Sequence, residues 1–236
     1  METKTIFTNK AKINLLKNNT VEKIFFNENN TEKEFENMNK LNEIFNEKEI
    51  EGWAYKTVKP IKCEENKLVM ERVKGETYFD LSDKNTQFSF VIGVWFGLFH
   101  NDCRVYRNGN IRKIDFNRTN ILIDEQKKEV TVIDPGALFN QRCSLEFSLI
   151  NAIMGLVIGD FKKRKNPKDT IKYFLDGYFS ILDEEINKNN LEHSFKKVFK
   201  NRMSAQLYKK KNKVVSYLKL KFIEAYTRIK ILKLLK

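Results

Sequence analysis

Short apolar runs broken by polar residues open the chain. Thr5-Ile6-Phe7-Thr8, residues 12–16 and residues 20–26 read as strands. The period then changes. Phe35, Met38, Leu41 and Phe45 recur at helical spacing, behind Thr31 as a helix cap and Glu34 at the capping-box position, so a helix is predicted from Glu32 to about Phe45. Two more strands follow, over 54–58 and 67–73, and Lys74-Gly75 breaks the second. From Asn85 onward the spacing is mainly helical. A strongly apolar helix is expected over 88–100, with others near 145–158, 169–187, 192–200 and 205–235. Set into this helical half, Ile121-Leu122-Ile123 and residues 130–133 flank a polar link, 125–129, and read as a β-hairpin. Strands with one helix first, then a hairpin within helices, predict an α+β fold with two lobes. The small β-rich lobe would span about 1–73 and the larger, mainly helical lobe 74–236.

The hairpin carries its polar residues at its open end. If Asp124 faces Val130 across the link, Asn120 faces Asp134, and directly opposed residues place their Cβ atoms about 5 Å apart. An amide oxygen beside a carboxylate suits Mg²⁺, which takes one or two protein carboxylates and leaves room for water and substrate phosphates. Asp115 lies five residues before Asn120, in the loop that leads into the hairpin. The plain alternative is a hairpin with polar ends and a solvated turn.

The string from Asp115 through Asn120 to Asp124, followed by Val132-Ile133-Asp134-Pro135-Gly136, resembles the catalytic segment of the protein-kinase-like superfamily. It looks closest to lipopolysaccharide kinases and aminoglycoside phosphotransferases. Further matches occur in the expected order: Lys23 on the third strand, Glu34 on the helix after it, and a hinge-like segment from Leu68 to Gly75. The resemblance covers roughly residues 5–160. It implies an ATP- and Mg²⁺-dependent kinase in which Asp134 and Asn120 hold the metal. Asp115 would accept or orient the acceptor hydroxyl, and Lys23, held by Glu34, would neutralise the α- and β-phosphates. The hinge, Met70, Glu71, Arg72 and Val73, would meet adenine through its backbone. Arg118 could reach a phosphate or an acidic substrate, or be an ordinary loop arginine. Glu36 competes with Glu34 for Lys23.

Several departures narrow the reading. Lys113-Ile114-Asp115 stands where a histidine-containing motif is usual. No glycine-rich loop precedes Lys23, so Asn9-Lys10-Ala11 would have to cross the phosphates. Asp-Pro-Gly replaces Asp-Phe-Gly, and no activation-segment motif is visible. A small-molecule or glycan acceptor is therefore favoured over a protein. The expected acceptor is a sugar hydroxyl of lipopolysaccharide or another cell-surface glycan. The alternatives are a protein kinase, another small-molecule kinase, or a non-catalytic nucleotide-binding scaffold. His100, His193 and the three cysteines read as structural.

Composition changes the picture at one end only. The chain of 236 residues carries 44 Lys and Arg against 31 Asp and Glu, a net charge of +13. Residues 195–236 hold 14 basic side chains and one acidic, so the whole excess lies there. Leu218, Phe222, Ala225, Ile229 and Leu232 share one helical face in this region, while Leu220 and Ile231 lie nearly opposite. Two expectations follow for 205–236: a final helix docked on the larger lobe, or peripheral contact with an anionic membrane surface. For nucleic acid the sole signal is charge, which makes it the weaker partner. Scattered Cys63, Cys103 and Cys143, and the lack of a leader or spanning segment, point to the cytoplasm, at most peripheral on the inner membrane face.

Overall fold

A computed structural model describes residues 4–8, 11–16, 18–26, 31–45, 47–81, 87–105, 110–114, 116–134, 141–162, 166–182, 186, 188–207 and 213–234. In chain order come β1 (Lys4–Phe7), β2 (Ala11–Leu15), β3 (Thr20–Phe25), α1 (Thr31–Ile44), β4 (Lys48–Ile50), β5 (Trp53–Thr57), β6 (Pro60–Glu64) and β7 (Lys67–Glu71). Then follow β8 (Glu76–Thr77), α2 (Tyr78–Leu81), α3 (Phe88–Asp102), β9 (Arg104–Val105), β10 (Asn110–Arg112), a 3₁₀ turn (Arg118–Asn120), β11 (Ile121–Asp124), β12 (Glu129–Val132) and β13 (Arg142–Ser144). Four helices complete the chain: α4 (Leu145–Lys162), α5 (Lys168–Phe179), α6 (Lys188–Leu207) and α7 (Lys213–Leu234). Two compact units result, one from Met1–Asp80 with Arg112–Arg142, the other from Leu81–Ile111 with Cys143–Lys236.

The first unit is built on two five-stranded sheets, ordered β1-β2-β3-β7-β6 and β4-β5-β12-β11-β8. The apolar face of α1 closes over the first: Met38 and Leu41 are fully buried, and Met38 joins Ala11, Phe25, Val58, Leu68 and Met70 in one cluster. Val21, Phe35, Val73 and Ile133 pack against that cluster. The expected spacing of α1 is thus the face it buries. In the second sheet β12 runs parallel to β5, with Val130 opposite Tyr55 and Val132 opposite Thr57. That pairing joins segments far apart in sequence, and no local pattern announces it.

The hairpin corrects the expected register by one residue. Asp124 pairs with Glu129, not Val130, so the link is 125–128. Glu129 looked like a turn residue because it is charged. Its carboxylate instead takes a 2.8 Å bond from Lys56 of β5, which satisfies it inside the ladder. Lys128, at φ +52°, supplies the left-handed residue that closes the shorter turn. Asn120 therefore lies against Ile133, whose N–H donates to the Asn120 carbonyl at 2.8 Å, and Asp134 comes one residue later.

Other boundaries shift. The helix expected over 145–158 runs to Lys162, the one over 169–187 stops at Phe179, and the one over 192–200 spans Lys188–Leu207. Residues 205–207 belong to α6 and not to the last helix, which begins at Lys213. The short strands β4 and β6 were not expected. Each lies at an edge of its sheet and carries lysine and glutamate, which blunt a free edge but hide the period-2 signal.

In the second unit α3 is buried along nearly its whole length and packs chiefly against α5, while α4, α6 and α7 pack on one another. Gly93 and Gly97 of α3 meet α5 backbone to backbone. His100, fully buried, shares hydrogen bonds with the Tyr178 hydroxyl at 2.8 Å and the Ser148 hydroxyl at 3.0 Å. It is a packed histidine, as its position suggested. His193 differs: it lies exposed on α6. None of the three cysteines forms a disulfide.

Candidate active site

Lys23 occupies the middle of β3, paired with Ile13 on one side and Leu68 on the other. This central position fixes its backbone, and the ammonium lies 4.8 Å from the centre of the Phe25 ring. Lys23 Nζ donates to Glu34 Oε1 at 2.6 Å and to Asp134 Oδ1 at 2.7 Å. Side-chain exposure is 11% for Lys23, 6% for Glu34 and 41% for Asp134, so the pair is sealed on the helix side and open at Asp134. Of the two candidates on α1, Glu34 reaches the lysine. Glu36 faces solvent and pairs with Lys40 at 3.7 Å.

Asp134 owes its direction to its backbone. It follows β12 with φ +61°, a left-handed conformation uncommon for a residue with a side chain. The alternation of the strand is interrupted there, and the carboxylate meets Lys23 despite the one-residue change of register. The loop before β11 is set by Asn117. Its side-chain oxygen accepts from the Thr119 N–H at 3.0 Å and from the Thr119 hydroxyl at 2.5 Å, and its carbonyl accepts from the Asn120 N–H at 3.0 Å. Asn120 is thereby pinned at the base of the hairpin. Asp115, Pro135 and Gly136 lie outside the described residues, as do Asn9 and Lys10. The residues flanking that last pair are tied closely. Thr8 donates its N–H and its hydroxyl to the Ala11 carbonyl at 2.9 and 2.8 Å, and Ala11 N–H returns a bond to the Thr8 hydroxyl at 3.0 Å.

The hinge residues divide. Met70 points into the apolar cluster of the first unit. The N–H groups of Glu71 and Arg72 are engaged by the carbonyls of Lys59 and Asn19. The Val73 N–H has no partner among the described residues. Glu71, Arg72 and Val73 line a polar cavity of about 410 Å³ with Lys56, Glu129 and Thr131, and neither Lys23 nor Asp134 lines it. Arg118 is not a loop arginine open to an incoming anion. It is buried, 3% exposed, with its guanidinium 4.9 Å from the centre of the Tyr78 ring. No sequence signal separated this arginine from an exposed one.

One ammonium between two carboxylates leaves one negative charge in excess. Burial pushes the Glu34 carboxyl up, Lys23 pulls it down and Asp134 adds to the rise, leaving it at about 7. For Lys23 burial works downward, but Asp134 and then Glu34 outweigh it and hold the ammonium above the ordinary lysine range. A carboxyl raised by folding stabilises the fold fully below its unfolded value of 4.5 and loses that contribution as pH rises through about 7. Replacing Glu34 by glutamine removes the titration. The melting-temperature difference, wild type minus Glu34→Gln, is therefore expected to be most positive near pH ~5 and to shrink steadily toward pH ~8. A difference that stays flat across that window would place the Glu34 ionisation elsewhere.

Oxygen donors at the mouth of this arrangement fit Mg²⁺. The half-exposed Asp134 carboxylate and the Asn120 amide stand at neighbouring positions of one hairpin end, a donor set that leaves most of the coordination shell to water and phosphate. Among the described residues no group of three or more His, Cys, Asp or Glu side chains is placed to hold a metal.

No protein-family model matches the chain, and no curated protein matches it in sequence. Solved structures do. The GDP and kanamycin complex of APH(2")-IIia aligns with a TM-score of 0.63 at 8% identity, over 96% of this chain and 94% of that one. The ADP-bound aminoglycoside phosphotransferase APH(2'')-Ib gives 0.58 at 11% identity, over 95% and 92%. A Plasmodium vivax ethanolamine kinase gives 0.57 at 9% identity, over 96% and 81%. Identities this low speak to architecture, and on that level the agreement spans nearly the whole chain: it shares the fold of these phosphotransferase and kinase structures.

Proposed function

We propose that the protein is an ATP- and Mg²⁺-dependent phosphotransferase acting on a hydroxyl, with a sugar of lipopolysaccharide or another cell-surface glycan as the acceptor. The observation that carries this reading is the Lys23 ammonium held at 2.6 Å by Glu34 and at 2.7 Å by Asp134. A buried lysine so fixed is a cation suited to a polyanion, and the half-exposed Asp134 carboxylate beside it, with the Asn120 amide, could hold the Mg²⁺ that such a polyanion brings. Relatives in fold are named for phosphorylating aminoglycosides and ethanolamine, small molecules that present hydroxyls.

In this reading Lys23 neutralises the α- and β-phosphates and Glu34 keeps it from swinging away. Asp134 and Asn120 hold Mg²⁺, which supplies further charge neutralisation on the triphosphate. The Val73 N–H is free to donate to the adenine ring. Asp115 orients the acceptor hydroxyl and receives its proton as the new oxygen–phosphorus bond forms. The bond between the γ-phosphorus and the bridging oxygen breaks, and ADP leaves with those electrons.

The test is mass spectrometry of candidate glycan acceptors after incubation with ATP and Mg²⁺. A mass increase of one phosphoryl group is expected, lost in Asp115→Ala while nucleotide binding persists. Undiminished transfer by that variant would remove Asp115 from its role. No transfer to any hydroxyl-bearing acceptor, with ATP bound, would make the chain a nucleotide-binding scaffold.

A further inference from the structure

Helix α7 has two apolar faces, and the body of the second unit buries only one. Leu220, Ile223, Thr227 and Ile231 are buried. At about 100° per residue they centre roughly 180° from Leu218, Phe222, Ala225 and Ile229. On that opposite face Leu218 is 59%, Phe222 61% and Ile229 52% exposed. The two stripes cancel in any measure of one-sidedness, which is why the helix looks poorly amphipathic in sequence. Cations border the outward stripe on both sides, Lys219, Lys230 and Lys233 along one edge and Lys221 and Arg228 along the other. Lys221 and Lys230 are held 5.7 and 5.4 Å from the ring centres of Tyr217 and Tyr226. Phe222 is held in place by the Phe161 ring, edge to face at 5.8 Å.

We infer that this face docks on an anionic phospholipid bilayer. Apolar side chains that project between two rows of cations match a surface where acyl chains lie just beneath negative headgroups. A second copy of this chain is a poor occupant, because residues 195–236 carry 14 basic side chains against one acidic and would repel their own image. Nucleic acid would pair with the lysines but offers nothing to the leucine, phenylalanine and isoleucine between them. No helix among the described residues is long and apolar enough to cross a membrane, so the contact is an interfacial one. Such docking would hold the enzyme beside lipid-linked acceptors, but the inference stands on the helix alone and needs no nucleotide.

Co-sedimentation of the full chain with phosphatidylglycerol-containing vesicles tests it, at low and high salt and against neutral phosphatidylcholine vesicles. Binding to the anionic vesicles that weakens with salt is expected. The double variant Phe222→Ser/Ile229→Ser should bind about a hundredfold more weakly, and Lys219→Glu/Lys230→Glu/Lys233→Glu by at least about as much at low salt. Phe222, Ile229, Lys219 and Lys233 are exposed and Lys230 is half-buried against Tyr226, so thermal melts are run beside the binding assay, and a cooperative transition shows that each variant is folded. In Phe222→Trp, tryptophan emission should shift to the blue on adding anionic vesicles. Wild-type protein that stays in the supernatant would overturn the inference, as would serine variants that sediment equally. It would also fall to a dimer by light scattering that the serine pair converts to monomer, or to RNA binding tighter than vesicle binding and untouched by the serine pair. Failure on any of these counts would leave phosphotransfer standing.

Discussion

Replacing Lys23 by methionine is expected to lower ATP turnover about 10²- to 10³-fold, the usual loss when one preorganised electrostatic group is removed from a transition state. The same change should weaken the fold. Glu34 and Asp134 would face each other with no cation between them, and removing one partner of a buried ion pair costs about 3–5 kcal/mol. Glu34 sits at the sealed end, so it bears most of this cost. It can also escape it by taking up a proton, because its carboxyl already stands at about 7. The loss of stability should accordingly be large near pH ~8 and much smaller near pH ~5. Adding Glu34→Met to Lys23→Met should recover stability without recovering turnover. Urea unfolding of the four proteins of this cycle, with turnover beside it, separates the two roles of the lysine. Full turnover in Lys23→Met would remove it from the chemistry.

The second large effect lies where α3 and α5 touch. A Cβ added at Gly177 would sit 2.0 Å from the Phe90 carbonyl oxygen, and one at Gly93 would sit 2.1 Å from that of Phe174. Both obstacles are backbone, so no side chain can swing aside. Gly177→Ala must push two helices apart in a region that includes Trp95, Phe96, Phe174 and Tyr178, all fully or almost fully buried. Overpacking of this kind costs about 3 kcal/mol or more, even though alanine favours a helix over glycine by up to about 1 kcal/mol. A shift of the urea midpoint to lower concentration with unchanged slope would show it. An unchanged midpoint would mean that the helices stand farther apart than described.

Much of the charged centre was legible before any coordinates, for a physical reason. Lys23 and Glu34 lie on regular elements whose periods can be read, and the apolar spacing of Phe35, Met38 and Leu41 shows which side of α1 turns inward. The hairpin was legible as an element but not in its register. Glu129 is charged, and only Lys56, brought alongside by the parallel pairing of β5 with β12, makes a strand position comfortable for it. The burial of Arg118 was not legible either: the Tyr78 ring beside it is 40 residues away in the chain. The left-handed backbone at Asp134 has no signature at all, since aspartate tolerates that conformation without requiring it.

The parallel seam between β5 and β12 also constrains how the molecule can be made. A ribosome that has released residues 1–80 has not yet supplied the strand that completes the second sheet, because Glu129–Val132 emerges later. Until then β5 exposes hydrogen-bonding groups along one flank, with Tyr55 uncovered, a template for stray pairing with other chains. A fragment cut after Asp80 should therefore aggregate when expressed alone, and it should become tractable once residues 112–142 are supplied on a separate peptide.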